Sequence, residues 1–126
     1  IGMFYHDVAA LLKNAKYVAV IYVKINPEFN IYLDKDENVV ALECLNADAK
    51  DAYGKKSFAG KSLDETLQTV VSIAAEKGYM KEDQTVALTI TECTTDLNAT
   101  ELQTKMDSNG SGKGTGYHSY DSDGYE

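Results

Sequence analysis

The chain has 126 residues, 44% of them hydrophobic, which is enough for one modest core and sets one domain by size. Twelve basic residues against 20 acidic ones leave a formal net charge of −8 and a pI near 4.7, with no basic cluster. That balance argues against nucleic acid and against direct contact with an anionic membrane.

No run approaches the roughly 20 apolar residues of a membrane span. The chain opens at Ile1 rather than Met, as expected of a piece of a longer protein whose leader or anchor would lie upstream. Residues 1–16 place Phe4, Val8, Leu11 and Leu12 at helical spacing, which predicts an amphipathic lead-in helix. Tyr17 to Asn26 is β-branched and aromatic and reads as a strand. Its parity sends Ile21, Val23 and Ile25 to the core, and Tyr22, Lys24 and Asn26 outward. Phe29 to Leu33 and Val39 to Leu45 read as a hairpin around the turn residues Asp34 to Asn38.

Asn46 is positioned to cap a short helix through Asp51, ending near Gly54. Ser62-Leu63-Asp64-Glu65 is a capping box. Leu63, Leu67, Val70, Val71 and Ala74 then form one helical stripe, closed by Gly78, with Tyr79 and Met80 folding back on it. Thr85 to Thr91 alternates as a fourth strand, and Asp96 or Asn98 opens a last helical turn or two through Met106. Asp107 to Gly116 holds no aliphatic residue, so 107–126 is expected to be a flexible Gly/Ser/Tyr-rich tail. The organisation read from sequence is thus a lead-in at 1–16, a domain at 17–106 and a tail at 107–126. The expected fold class is α+β: a small, antiparallel-rich sheet of about four strands with one main helix on one face. The stripe of Leu63, Leu67, Val70 and Ala74 should face Ile21, Val23, Ile31, Val40, Leu42, Leu88 and Ile90.

The chemistry-bearing residues are few. Alternation puts Cys44 with Val40 and Leu42 but leaves Cys93 opposite the apolar set, so both are expected to be free thiols. Asp107, Asn109, Ser111 and Gly112 imitate the start of a calcium loop, but its twelfth position is His118 rather than a bidentate Glu. Asp34, Asp36 and Asn38 read as a solvated turn, and His6 and His118 lie far apart in the terminal segments. No metal or cofactor is expected, and no Ser-His-Asp or Cys-His set supports an enzyme acting on a diffusible substrate. Tyr117, Tyr120 and Tyr125 read as spacer, although such residues could grip sugar.

The single proline follows an asparagine at the end of the most hydrophobic run, Tyr17 to Pro27. Proline has no backbone N–H, so the usual attack of the next backbone nitrogen on the Asn side chain is closed. The Asn26 side-chain nitrogen can instead attack the Asn26 carbonyl carbon, forming a succinimide and releasing Pro27. On the dipeptide alone, the simpler reading is that Pro27 merely ends a strand. Lys24, Glu28, Asn30 and Tyr32 are close enough in sequence to assist a self-cleavage, and the sequence does not choose among them.

Five segments together resemble one family. They are Val23-Lys24-Ile25-Asn26-Pro27, the hairpin Phe29 to Leu45, Asn46-Ala47-Asp48-Ala49, Gly60-Lys61-Ser62-Leu63 and Glu76-Lys77-Gly78-Tyr79-Met80. In order and spacing they resemble the extracytoplasmic juxtamembrane domain of RsgI-type bacterial anti-sigma factors, over about Tyr17 to Ile90. The resemblance implies a membrane-anchored, single-pass parent with a cytoplasmic sigma-binding domain and often a carbohydrate-sensing module. It also implies autoproteolysis at Asn26-Pro27, a single turnover with the halves held as one folded unit. Glu28 stands where the family usually has Ser, so a hydroxyl-assisted cut would be slow or absent here. The implied function is an extracytoplasmic signal relay. Its partners would be other domains of the parent and, through a neighbouring module, carbohydrate or a cell-wall ligand. The alternative is a secreted or surface binding or spacer domain with an intact Asn-Pro bond.

Overall fold

A computed structural model of the chain describes residues 16–80, 86–111 and 117–120. The expected lead-in helix, apart from Lys16, lies outside the described residues. The elements run β1 (Ala19–Lys24), β2 (Glu28–Leu33), β3 (Val39–Cys44), α1 (Ala47–Tyr53), α2 (Leu63–Glu76), β4 (Val86–Cys93), α3 (Ala99–Ser111) and β5 (Tyr117–Tyr120). Among the described residues the sheet order is β3-β2-β1-β4-β5. The first four strands are antiparallel neighbours, while β5 lies parallel to β4. The fold is α+β, as the alternation of strands with one strongly amphipathic helix predicted.

One buried cluster holds the inner face of the sheet against the three described helices. Ile21, Val23, Phe29, Ile31, Leu33, Leu88 and Ile90 meet Ala49 and Tyr53 of α1, Leu63, Leu67, Val70 and Ala74 of α2, and Leu102 and Met106 of α3. Tyr53 stacks edge-on against Phe29 with centroids 5.0 Å apart, and its hydroxyl donates to the Val70 carbonyl at 2.7 Å. That bond satisfies the one polar atom such a deeply buried ring brings with it.

The ends of α2 form as its sequence dictates. Ser62 Oγ accepts from the Glu65 amide at 3.1 Å. At the other end Gly78 takes φ +83°. The Tyr79 amide reaches the Ala74 carbonyl at 2.8 Å and the Gly78 amide reaches Ala75 at 3.1 Å, the paired bonds of a Schellman motif. Met80 is buried and Tyr79 packs against the cluster, as expected.

Three expectations are corrected. The core position in β3 is Val39, not Val40, because the β2–β3 register shifts between Tyr32 and Leu33. Cys93 packs against the core rather than opposite it, because the β1–β4 register shifts between Val20 and Ile21. One extra residue in a ladder reverses the face of everything beyond it. The third concerns the end of the domain. The helix α3 continues past Met106 to Ser111, and Tyr117–Tyr120 pair with Val86–Thr89, so ordered backbone reaches into the expected tail. Asn98, one of the two foreseen openers, caps α3 by accepting from the Glu101 amide at 3.0 Å.

Candidate functional site

The Asn26–Pro27 bond lies in the three-residue corner between β1 and β2, where Lys24 pairs with Glu28. The corner is closed by the Ile25 amide donating to the Pro27 carbonyl at 3.2 Å. Ile25 and Pro27 are buried while Asn26 is exposed. The parity of the strand thus holds to its last residue and turns the Asn26 amide away from the core. The peptide is cis, and Asn26 has φ +52°. That left-handed conformation is one that asparagine tolerates better than most residues.

A residue from outside the hairpin completes the corner. Asn46, the N-cap of α1, accepts through its Oδ1 from the Ala49 amide at 2.9 Å and from the Glu28 amide at 3.3 Å. Its Nδ2 donates to Asn26 Oδ1 at 3.3 Å. The Leu45 amide donates to the Glu28 carbonyl at 2.9 Å, which draws the start of α1 against the corner. Asn46 was legible as a helix cap but not as a neighbour of Asn26. Its only sequence signal was the Asn-x-Asp-Ala step.

Of the four residues proposed to assist, Lys24 and Glu28 flank the corner as a register pair. Glu28 Oε1 accepts the Tyr22 hydroxyl at 2.8 Å. Burial first, then the hydrogen bond and charge of Glu28, push the Tyr22 phenol up to about 12. Asn30 and Tyr32 lie further along β2. Both donate to Glu43 Oε1, at 3.1 and 2.6 Å. Tyr32 also meets the Tyr17 ring edge-on at 4.9 Å, and burial with the Glu43 carboxylate raises its phenol well above the ordinary value. These two side chains belong to the outer face of the sheet and are engaged away from Asn26.

The cysteines are free thiols, Cys44 bonding to the Ala49 carbonyl at 3.4 Å. Burial pushes both thiols up, so neither is poised as a thiolate. The calcium-like run and the tail tyrosines have no described side chains.

The frame is thus an α+β sheet whose central strand, β1, runs into an exposed asparagine followed by a buried proline. The chain belongs to the family of anti-sigma factor RsgI-like central domains, whose model matches residues 18–121. It is similar to the anti-sigma-I factor RsgI3 of Acetivibrio thermocellus, 34% identical over 67 residues, covering 53% of this chain and 10% of that protein. It is also similar to the anti-sigma-I factor RsgI of Bacillus anthracis, 31% identical over 75 residues, covering 59% of this chain and 17% of that protein. The matched stretches are thus a small part of the length of these relatives. Among the described residues no helix is long and apolar enough to cross a membrane.

Proposed function

We propose that this chain is the extracytoplasmic signal-relay domain of an anti-sigma-factor parent, and that it cuts itself once at Asn26–Pro27. The observation that supports the reading best is the position of β1. It is an inner strand, paired with β2 along Ala19–Lys24 and with β4 from Ala87 to Cys93. A cut just beyond its end would sever the chain without freeing the strand. The piece carrying β1 would stay wedged between two ladders, with Ile21 and Val23 in the core. Only unfolding or a pull on one piece would separate them, and that separation is a relay step.

The reaction balances without a cofactor. Asn26 Nδ2 bonds to the Asn26 carbonyl carbon, and the bond from that carbon to Pro27 N breaks. One proton leaves the amide, one joins the proline nitrogen, and the products are a C-terminal succinimide and a free Pro27 amine. Lys24 and Glu28 are the charged groups closest in register to serve the two proton transfers. Beyond this single turnover no enzymatic activity is proposed. The partners are the other domains of the parent, which is a single-pass membrane protein. A neighbouring module, not this domain, meets the carbohydrate or cell-wall ligand.

The relay is tested in the full-length parent by transcription from a promoter of its sigma factor. Asn26→Ala is expected to keep the promoter silent under a stimulus that activates the wild type. Equal activation in both would overturn the relay.

A further inference from the structure

The corner is held by an amide whose orientation is fixed by backbone donors. Asn46 Oδ1 faces two N–H groups, those of Ala49 and Glu28. Only an oxygen can accept from both, so the two ends of the Asn46 amide cannot exchange. Its NH2 is therefore the end presented to Asn26, and Asn26 must answer with its oxygen. The Asn26 nitrogen is left on the other side, unclaimed by this contact.

We propose that Asn46 is the positioning residue of the scission. Its role rests on the self-cleavage reading, and it extends that reading to a residue 20 positions away. It acts in two ways. It selects the amide rotamer in which Asn26 Nδ2 rather than Oδ1 is available to attack, and reactions of this kind depend steeply on orientation. It also stabilises the attacking form. When Asn26 Nδ2 loses its proton the negative charge is shared with Oδ1, and a donor already aimed at that oxygen lowers the cost. The same side chain fixes the Glu28 amide, one residue past the bond that breaks, so nucleophile and leaving segment are held by one group.

Asn46→Asp separates positioning from folding. Aspartate caps a helix as well as asparagine and still accepts from Ala49 and Glu28. Towards Asn26, however, it presents an acceptor, which favours the reversed Asn26 amide. Scission, followed by denaturing electrophoresis of the purified chain, should slow roughly 10- to 100-fold with the thermal midpoint little changed. Scission at the wild-type rate in Asn46→Asp would overturn the proposal. A second readout does not need scission. In Asn26→Ala, the side-chain NH2 resonances of Asn46 should move while the Ala49 backbone amide stays in place. If the wild type never cuts, the self-cleavage reading falls. The resonance shift then decides the positioning contact alone: its presence keeps the contact, and its absence overturns it.

Discussion

Strand β2 is bounded by two turns that are held in different ways. The turn at Asp34–Asn38 is closed mainly by its own residues, with the start of α2 bridging to it at Asn38–Ser62. Asp34 Oδ1 accepts from the Asp36 and Asn38 amides at 2.8 and 2.9 Å, and the Asp34 and Glu37 backbones close the loop at 2.9 and 3.0 Å. Its left-handed residue, Glu37 at φ +66°, is also held from outside, its carbonyl by the Leu63 amide at 3.3 Å and its carboxylate by Lys105. The corner at Ile25–Pro27 has one long backbone bond of its own and borrows the rest from Asn46. A turn whose own side chain satisfies its backbone takes its shape largely from its own residues. A turn assembled by a distant side chain is one whose geometry the fold has specified from elsewhere, and such corners are where chemistry is placed.

The strongest substitutions are at Asn26. Asn26→Ala and Asn26→Gly should each abolish scission, leaving one intact chain on a denaturing gel. Asn26→Gly should be the more stable of the two, because glycine accepts φ +52° without penalty. The next effect is on the frame that carries both turns. Leu67 is 1% exposed in the shared core, and Leu67→Ala should lower stability by about 2–5 kcal/mol in denaturant unfolding. A near-neutral result would contradict the packing of α2 on the sheet.

A matched pair of substitutions separates the two turns. Asp34→Ala and Asn46→Ala each remove a side-chain acceptor of two backbone amides, and each should cost about 1 kcal/mol. Only Asn46→Ala should also change the rate of scission. Equal scission rates in the two variants would make the corners equivalent. The smallest effect is electrostatic. The Tyr22 phenol is raised from 10.0 to about 12 in the folded chain, chiefly by burial and then by Glu28. A pKa raised by folding contributes stability in full below the ordinary value and loses it as pH climbs through about 12. Tyr22→Phe should therefore reduce the extra loss of stability between pH 10 and 12, read as the alkaline shift of the thermal midpoint.

Much of this arrangement was legible because it is local and periodic. The alternation of Tyr17 to Asn26 placed Asn26 outward and Ile25 inward. The stripe from Leu63 to Ala74, the Ser62 cap and the Gly78 stop fixed α2 at both ends. What escaped was long-range. Periodicity cannot reveal an extra residue in a ladder, so the register shifts that bury Val39 and turn Cys93 inward were invisible. Composition weighs side-chain burial and is blind to backbone pairing. The polar run after Met106 therefore gave no hint of the end of α3 or of β5. The cap role of Asn46 is legible from its place before α1. Its second role depends on the β2–β3 hairpin returning the chain to the corner, which no local pattern encodes.

Self-cleavage is read most plainly from the intact mass of the purified chain under denaturing conditions. Two species are expected, residues 1–26 and 27–126, that migrate together before denaturation. The shorter one should end in a succinimide, one water lighter than the free acid, or in the products of its hydrolysis. A single species of full mass after long incubation at neutral pH would contradict self-cleavage.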